Sequence, residues 1–193
     1  MSYKVVNILD LIDSVGESEV QDMISSFKCE LNPSIELFLK NDAINFAKRK
    51  ISITHLFLNE DGVILAFFTL THKPTTISSA NLSKSSIKTL SRYSKLDEET
   101  HSFNISAFLI AQFGKNTSLK NDEEVSGNNM MNFCFDVLEY VQRQVGGGVV
   151  YLECEDKEKL LNFYQNDHNL FRVYGKRYSD SEKANYLQLI KFF

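Results

Sequence analysis

A polar segment between two apolar runs contains the residues best suited to bind an anion. Residues 103–113 are nearly all apolar, residues 114–125 are mostly polar, and a helical pattern begins at Ser126-Gly127. N–H groups in the first turn of a helix have no acceptor within the helix, and the helix dipole adds positive potential there. This order predicts a phosphate-binding site at the helix start. The structural alternative for Gly127 is an ordinary glycine beside a capping serine.

The pair Gly114-Lys115 at the start of this segment resembles part of a P-loop. That motif requires a glycine at the position of Leu109 and a serine or threonine at the position of Asn116. Neither requirement is met, and the chain also contains no G-x-G-x-x-G fingerprint. The sequence therefore excludes both of these nucleotide-binding loops.

A strand-loop-helix-strand crossover must position the loop. The helix from Ser126 has one apolar face and stops at the three glycines 146–148, and residues 149–154 form a second apolar strand. Crossovers of this kind join parallel strands and are right-handed. A further helix is predicted over residues 157–165, with Asp156 as its cap.

The remaining pattern predicts a mixed α/β chain. The predicted elements are an edge strand (3–11), a helix (17–27), a helix capped by Asn32 with Pro33 first (33–50), a hairpin (53–58 and 63–71) ended by Pro74, and two final strands (170–174 and 186–192). Residues 72–102 are rich in Ser, Thr and Lys and form a long excursion. Such an excursion either faces a substrate or is a plain surface loop, and Ile87, Leu90 and Tyr93 suit a short helix within it.

Composition predicts one soluble domain over residues 1–193. The chain is 43% hydrophobic and 24% charged, with a net charge of −4 that argues against a nucleic-acid partner. Three cysteines and four histidines are scattered, without metal-site or disulfide spacing, which suits a reducing compartment. No signal peptide or membrane-spanning run is recognisable. We expect a cytoplasmic protein with no metal.

The order of these elements resembles the GNAT superfamily of acyl-CoA-dependent N-acyltransferases over nearly the whole chain. The segments that resemble a variant found in bacterial and phage members are residues 108–116, 126–129, 151–156 and 162–164. The resemblance implies an α/β GNAT fold. Its central sheet would be mixed, mostly antiparallel and flanked by helices, with a β-loop-α-β crossover that binds acetyl-CoA.

The resemblance also implies which residues contact acetyl-CoA. The expected cofactor-binding residues are Ile110, Ala111, Gln112 and Phe113 through their backbone, Lys115, Gly127, Asn128 and Asn129 at the pyrophosphate, and Asn162. The family loop is commonly Q/R-x-x-G-x-G/A. Aligned on Gly127, this chain has Glu124 in place of Gln or Arg and Asn129 in place of a small residue, after an acidic insertion at 117–125.

Two residues are expected to transfer protons. Tyr164 matches the tyrosine that protonates the departing CoA thiolate in many family members, a step that suits a neutral phenol. The strand at 103–111 has no carboxylate, so Glu153 on the neighbouring strand is the candidate general base. The structural alternatives are an aromatic residue packed on the sheet for Tyr164 and a solvated carboxylate for Glu153.

The resemblance implies an N-acetyltransferase that moves an acetyl group from acetyl-CoA to a primary amine by direct attack. A small molecule, a protein amine and an aminoacyl-tRNA are possible acceptors, of which the net charge disfavours the last. The alternatives are a non-catalytic GNAT-like module that binds a protein partner, with or without CoA, and an unrelated α/β binding protein. Phe192 and Phe193 at the chain end suit either a homodimer sheet or a packed C-terminus.

Overall fold

The computed structural model describes residues 2–119 and 125–193, which form two compact units. The first contains residues 1–71 and 110–137, and the second contains residues 72–109 and 138–193. The elements are β1 (Lys4–Asn7), α1 (Ile8–Val15), α2 (Glu17–Ser25), α3 (Pro33–Asn41), α4 (Ala43–Lys48), β2 (Ile53–Leu58), β3 (Ile64–Ser78), α5 (Lys84–Leu90), β4 (Leu96–Asp97), β5 (Ser102–Lys115), α6 (Gly127–Val145), β6 (Val149–Glu155), α7 (Glu158–Gln165), β7 (Arg172–Ser179) and β8 (Ala184–Phe192).

The strands form one mixed sheet in the hydrogen-bonded order β1-β2-β3-β5-β6-β8-β7, with β4 paired to β5. The pairs β1–β2, β2–β3, β4–β5, β6–β8 and β7–β8 are antiparallel. The pair β5–β6 is parallel and is joined through α6. The predicted α/β architecture, with a mostly antiparallel sheet and a β-loop-α-β crossover, is therefore confirmed.

Helices α1 to α4 pack in the core of the first unit. Its fully buried residues include Ile8, Val20, Ile24, Leu39 and Leu56. The predicted strand over residues 3–11 is wrong beyond Asn7. The Asn7 side chain accepts a hydrogen bond from the Leu9 N–H at 2.9 Å, so this residue caps a helix that begins at Ile8.

The single helix predicted over residues 33–50 is two helices. Asp42 separates them with φ −117°, although its N–H still donates to Phe38 and its carbonyl accepts from Phe46. Ala43 and Ala47 are buried in the unit core, where small side chains let a short helix pack closely. Pro33 is at the first helical position as predicted, but the Asn32 side chain makes no capping hydrogen bond.

In the second unit, β3 continues past Pro74 to Ser78, so the prediction that Pro74 ends this strand is wrong. The register of β2 with β3 stops at the pair Ile53–Leu70, which leaves the later part of β3 without that neighbour. A missing N–H on an unpaired strand edge costs little. The excursion at 72–102 is folded, because Ile77 and Leu90 pack with Phe103 in this unit's core.

The helix start predicted at Lys157 is also corrected. Helix α7 begins at Glu158, and its N-cap residue Lys157 provides no side-chain cap. Asp156 accepts a hydrogen bond from Lys176 on β7 instead. A salt bridge to β7 has therefore replaced the predicted cap.

Cys29, Cys134 and Cys154 are free thiols, and each is buried. None of the helices among the described residues is long and apolar enough to cross a membrane.

Candidate functional site

The predicted cofactor strand is the last part of β5, in the first unit. Ile110 is buried, and Ala111, Gln112 and Phe113 are half-buried. The parallel register of β5 with β6 contains two pairs, Phe108–Val150 and Leu109–Tyr151. The role predicted for residues 110–113 depends on their backbone N–H and C=O groups, with which an extended ligand can pair as an added strand would.

Gly114 follows this strand edge, and packing explains why it is a glycine. A Cβ atom built at this position would lie 2.5 Å from Cγ2 of Ile35 on α3 and 3.4 Å from the ring of Phe67. Real Cβ atoms do not approach other carbons so closely, so any side chain here requires Ile35 or its helix to shift. Gly114 thus lets Ile35 of α3 pack closely on β5.

Asn116 ends the strand and anchors the following loop. Its side-chain N–H donates to the Ile64 carbonyl at 2.9 Å, and its backbone N–H donates to Leu65 at 2.8 Å. Its side-chain carbonyl accepts from the N–H and hydroxyl of Ser118. This residue is only 3% exposed. The sequence indicates Asn116 only as a departure from a P-loop. Its anchoring role is not visible there, because Ile64 and Leu65 are far away in the chain.

The loop is also tied to the segment between α2 and α3. Thr117 donates its N–H to the Lys28 carbonyl at 2.8 Å, and its hydroxyl accepts from the Glu30 N–H at 3.0 Å. The loop therefore begins from a fixed position. Glu124, named above as a departure from the family pattern, and most of the acidic insertion lie outside the described residues.

The start of α6 has the geometry of a capped helix end. The Ser126 hydroxyl accepts from the Asn129 N–H at 3.0 Å, and the Ser126 carbonyl accepts from Met130. The N–H groups of Gly127 and Asn128 have no acceptor within the helix. Asn128 and Asn129 are exposed and Gly127 is half-buried. Two N–H groups at a dipole-positive helix end fit a pyrophosphate, whereas the Asn129 N–H already has a partner.

The second unit contains Tyr164, Asn162 and Glu153. Tyr164 on α7 is 7% exposed, and its ring contacts Phe163 and Phe171 at centroid distances of 4.9 and 5.9 Å. The Phe171 N–H donates to the Tyr164 carbonyl at 3.0 Å. These contacts fix the ring in place. Asn162 is exposed on the same helix.

Glu153 on β6 is held by β7 and β8. Its carboxylate accepts hydrogen bonds from Arg177 at 2.8 and 2.5 Å and from Gln188 at 2.9 Å. Burial by itself would raise the pKa of Glu153, but the hydrogen bonds from Arg177 and Gln188 and the charge of Arg177 lower the pKa below its ordinary value. A general base works best with a pKa near the operating pH. Glu153 is instead an oriented, ionised carboxylate, and its role as a base stays a prediction.

We expect the Glu153–Arg177 pair to make stability depend on pH. Because the pKa of Glu153 is lowered in the folded chain, the pair stabilises the fold above the ordinary carboxyl pKa, and this contribution is lost as the pH falls through the folded value. In thermal unfolding between about pH 7 and pH 3, Glu153→Gln should lose less stability than the unmodified chain. Glu158→Gln, an exposed change of equal charge, is the control. Equal losses for Glu153→Gln and the unmodified chain would contradict the expectation.

No cluster of His, Cys, Asp and Glu that could hold a metal ion occurs in the ranges 2–119 and 125–193. The first unit contains the predicted cofactor residues 110–115 and 127–129. The second unit contains the predicted proton-transfer residues Glu153 and Tyr164.

The sheet order, the parallel β5–β6 pair and the helix that begins after the polar loop define the GNAT fold. Solved structures with this fold match nearly the whole chain. AtaT complexed with acetyl-methionyl-tRNAfMet has a TM-score of 0.65 at 18% identity, over 96% of this chain and 94% of that one. AtaTR bound with AcCoA has a TM-score of 0.60 at 18% identity, over 96% and 93%.

The Tyr-to-Phe mutant of KacT gives a similar match, with a TM-score of 0.63 at 17% identity over 97% of this chain and 94% of that one. No protein-family model and no curated protein sequence matches the chain. At sequence identities of 17–18%, the structural similarity shows the fold and does not by itself show the activity.

Proposed function

We propose that the protein is an N-acetyltransferase that transfers the acetyl group of acetyl-CoA to a primary amine by direct attack. The observation that carries this proposal is the GNAT fold, shared over nearly the full length with a structure of AtaTR bound with AcCoA. The start of α6 supports it, because the Gly127 and Asn128 N–H groups have no acceptor within the helix and suit the pyrophosphate of the cofactor.

In this proposal acetyl-CoA supplies an activated thioester. The backbone of Ile110, Ala111, Gln112 and Phe113 binds its pantetheine amides as an added strand would. The helix start at Gly127 and Asn128 receives the pyrophosphate, and the Lys115 side chain adds positive charge. Asn129 contributes through its exposed side-chain amide, since its N–H caps Ser126. Asn162 adds a contact from α7.

Proton transfer is assigned to two side chains. When the amine nitrogen bonds to the acetyl carbon and the carbon–sulfur bond breaks, Tyr164 donates its phenolic proton to the departing sulfur. The amine loses one proton, which Glu153 accepts directly or through water. The contacts of the Tyr164 ring support this role, because a fixed ring orients its hydroxyl.

An aminoacyl-tRNA is the acceptor to test first. The structure of AtaT with acetyl-methionyl-tRNAfMet contains an acetylated α-amine on a tRNA. The net charge of −4 argues against an RNA acceptor, so a small amine and a protein amine belong in the same screen.

We further propose a cytoplasmic location, where the three buried thiols stay reduced. We also propose a homodimer formed through the chain end at Phe192 and Phe193.

Thermal unfolding with acetyl-CoA, free CoA and ATP tests the cofactor assignment. A ligand that binds only the folded chain stabilises it by about 2.7 kcal/mol at a concentration 100 times its Kd. We expect acetyl-CoA and free CoA to raise the unfolding midpoint and ATP to leave it unchanged. No shift with acetyl-CoA would contradict the proposal.

A non-catalytic module that binds a protein partner is the second candidate. The ion pair of Glu153 with Arg177 favours it, because this carboxylate lacks the raised pKa expected of a base. Stabilisation by acetyl-CoA without acetyl transfer to any amine in the screen would support this candidate over the enzyme.

A further inference from the structure

The last turn of α7 is held by the segment that follows it, residues 166–171. The Phe163 carbonyl accepts a hydrogen bond from the side-chain N–H of Asn169 at 2.7 Å. The Tyr164 carbonyl accepts from the Phe171 N–H at 3.0 Å. Carbonyls in the last turn of a helix have no partner within the helix, so these bonds supply partners from outside it. Both peptide groups that flank the Cα atom of Tyr164 are therefore fixed by this segment.

The Asn169 side chain is buried for the sake of one hydrogen bond. It is 0% exposed, which is uncommon for an amide side chain. Its Nδ2 donates to the Phe163 carbonyl, whereas its Oδ1 has no hydrogen-bond partner among the described residues. A buried polar atom without a partner costs free energy, and an apolar residue of the same size would avoid that cost. The bond to the carbonyl that precedes Tyr164 explains why an amide is present.

The turn that contains Asn169 is itself fixed on two sides. The Asn166 side chain accepts hydrogen bonds from the N–H groups of His168 and Asn169 at 3.0 and 2.7 Å. The Asn166 carbonyl accepts from the Leu170 N–H at 3.0 Å. On the sheet side, the Lys191 ammonium of β8 donates to the Asn169 carbonyl at 3.0 Å. Asn169 thus links the end of α7 to the sheet.

The next residue has a strained backbone. Leu170 has φ 58°, a left-handed conformation that is unfavourable for a bulky side chain. Phe171 follows it, with its N–H bonded to the Tyr164 carbonyl and its ring 5.9 Å from the Tyr164 ring between centroids. The strained turn therefore places both contacts of Phe171 on Tyr164. Backbone strain of this kind is concentrated at functional sites, where surrounding contacts maintain it.

Proton donation by a phenol depends on where its oxygen lies. In the proposed reaction the Tyr164 hydroxyl must lie within hydrogen-bond reach of the departing sulfur, at about 3 Å. A misplacement of about 1 Å can slow an enzymatic reaction about 100-fold. The peptide groups of Tyr164 cannot shift without breaking a bond to Asn169 or Phe171. These bonds therefore determine how constant the position of the hydroxyl is.

We propose that Asn169 is a positioning residue for Tyr164, which holds the peptide group before Tyr164 so that the phenol stays aimed at the departing thiolate. Asn169 acts through Tyr164 and transfers no proton itself. Lys191 supports Asn169 from the sheet. This inference rests on the proposed function, because it takes Tyr164 as the acid of acetyl transfer.

Steady-state kinetics of Asn169→Ala tests the positioning role. CoA release is measured with aminoacyl-tRNA, the first acceptor of the screen, or with the amine that the screen identifies. We expect kcat to fall about 10- to 100-fold, because the Tyr164 hydroxyl loses its fixed position. The KM for acetyl-CoA should change little, since the predicted pantetheine and pyrophosphate contacts are made by β5 and α6.

Two further variants show whether Asn169 acts through Tyr164. In the Tyr164→Phe background, Asn169→Ala should cause little further loss of kcat, because residues that act through one group have non-additive effects. Lys191→Met removes the bond to the Asn169 carbonyl, and it should lower kcat in the same direction by a smaller factor. If Asn169→Ala does not fold, Lys191→Met and its double variant with Tyr164→Phe decide by the same criteria.

Thr69→Val is the matched control. Thr69 is fully buried, and its hydroxyl is 2.8 Å from that of Thr54 in the first unit. Both Thr69→Val and Asn169→Ala remove a buried hydrogen bond and should lower the unfolding midpoint, but Thr69→Val should leave kcat within about twofold. Hydrogen–deuterium exchange adds a readout that needs no turnover. Peptides that cover residues 160–171 should exchange faster in Asn169→Ala and at an unchanged rate in Thr69→Val.

Acetyl transfer by the unmodified chain is measured first, which separates the two proposals. Its absence would overturn the proposed function and this inference with it. Transfer that Asn169→Ala leaves unchanged, or slows equally in the Tyr164→Phe background, would overturn the positioning role and leave the acetyltransferase intact. A loss confined to the KM for acetyl-CoA would have the same meaning, because it would indicate a role in binding.

Discussion

Replacing Tyr164 by phenylalanine should lower acetyl transfer by about 100- to 10,000-fold, the usual contribution of general acid catalysis. The change removes only the hydroxyl that is proposed to protonate the departing thiolate. The ring contacts with Phe163 and Phe171 are kept, so we expect the variant to fold normally. Acetyl-CoA should bind it with nearly unchanged affinity. The rate of CoA release and the Kd for acetyl-CoA are the two measurements.

Tyr174→Phe is the matched control for this variant. Tyr174 is 5% exposed and lies in the same unit, and burial raises its pKa to about 12, so it too carries a protonated phenol. It has no proposed role in proton transfer, and we expect its loss to leave turnover within about twofold. Equal turnover in the Tyr164 and Tyr174 variants would contradict the assignment.

Gly114→Ala should destabilise the chain by about 1–3 kcal/mol, the typical cost of overpacking. The new Cβ would lie 2.5 Å from Cγ2 of Ile35, so Ile35 or its helix must shift away from the end of β5. The backbone at Gly114 does not have the positive φ that favours glycine, so the expected cost is steric. Urea unfolding measures it, and binding of acetyl-CoA should weaken with it because Gly114 follows the predicted cofactor strand.

The double variant Gly114→Ala with Ile35→Ala tests the steric explanation. Removing Cγ2 of Ile35 makes room for the new methyl group, so the cost of Gly114→Ala should become small in the Ile35→Ala background. Ile35→Ala alone supplies the reference. If the cost of Gly114→Ala were the same in both backgrounds, the contact with Ile35 would not explain the glycine.

The sequence predicted the crossover because its signals are local. The apolar runs of β5 and β6, the Ser126 cap and the glycines after α6 each act over a few residues, and φ values of 77° and 90° at Gly146 and Gly147 agree with the predicted stop. The predictions from sequence are wrong where tertiary contacts determine the local structure. Pro74 is tolerated because β2 has already ended, and Asp156 pairs with Lys176 on a distant strand.

The surroundings of the candidate site residues depend even more strongly on contacts between residues that are far apart in the sequence. The sequence indicates Glu153 because the strand at 103–111 has no carboxylate, but the lowered pKa of Glu153 comes from Arg177 and Gln188 on two other strands. Asn116 acts through the carbonyl of Ile64, which is far away in the sequence. No local pattern predicts which of these partners meet, because strand order in the sheet determines it.

Hydrogen–deuterium exchange with and without acetyl-CoA is the most direct test of the central claim, that this chain binds acetyl-CoA along β5 and at the start of α6. With the ligand in excess, we expect slower exchange in peptides that cover residues 110–116 and 126–130, and no such change with ATP. Peptides from α1 serve as an internal control. Unchanged exchange in both regions, or protection only elsewhere in the chain, would contradict the acetyl-CoA assignment and with it the proposed acetyltransferase.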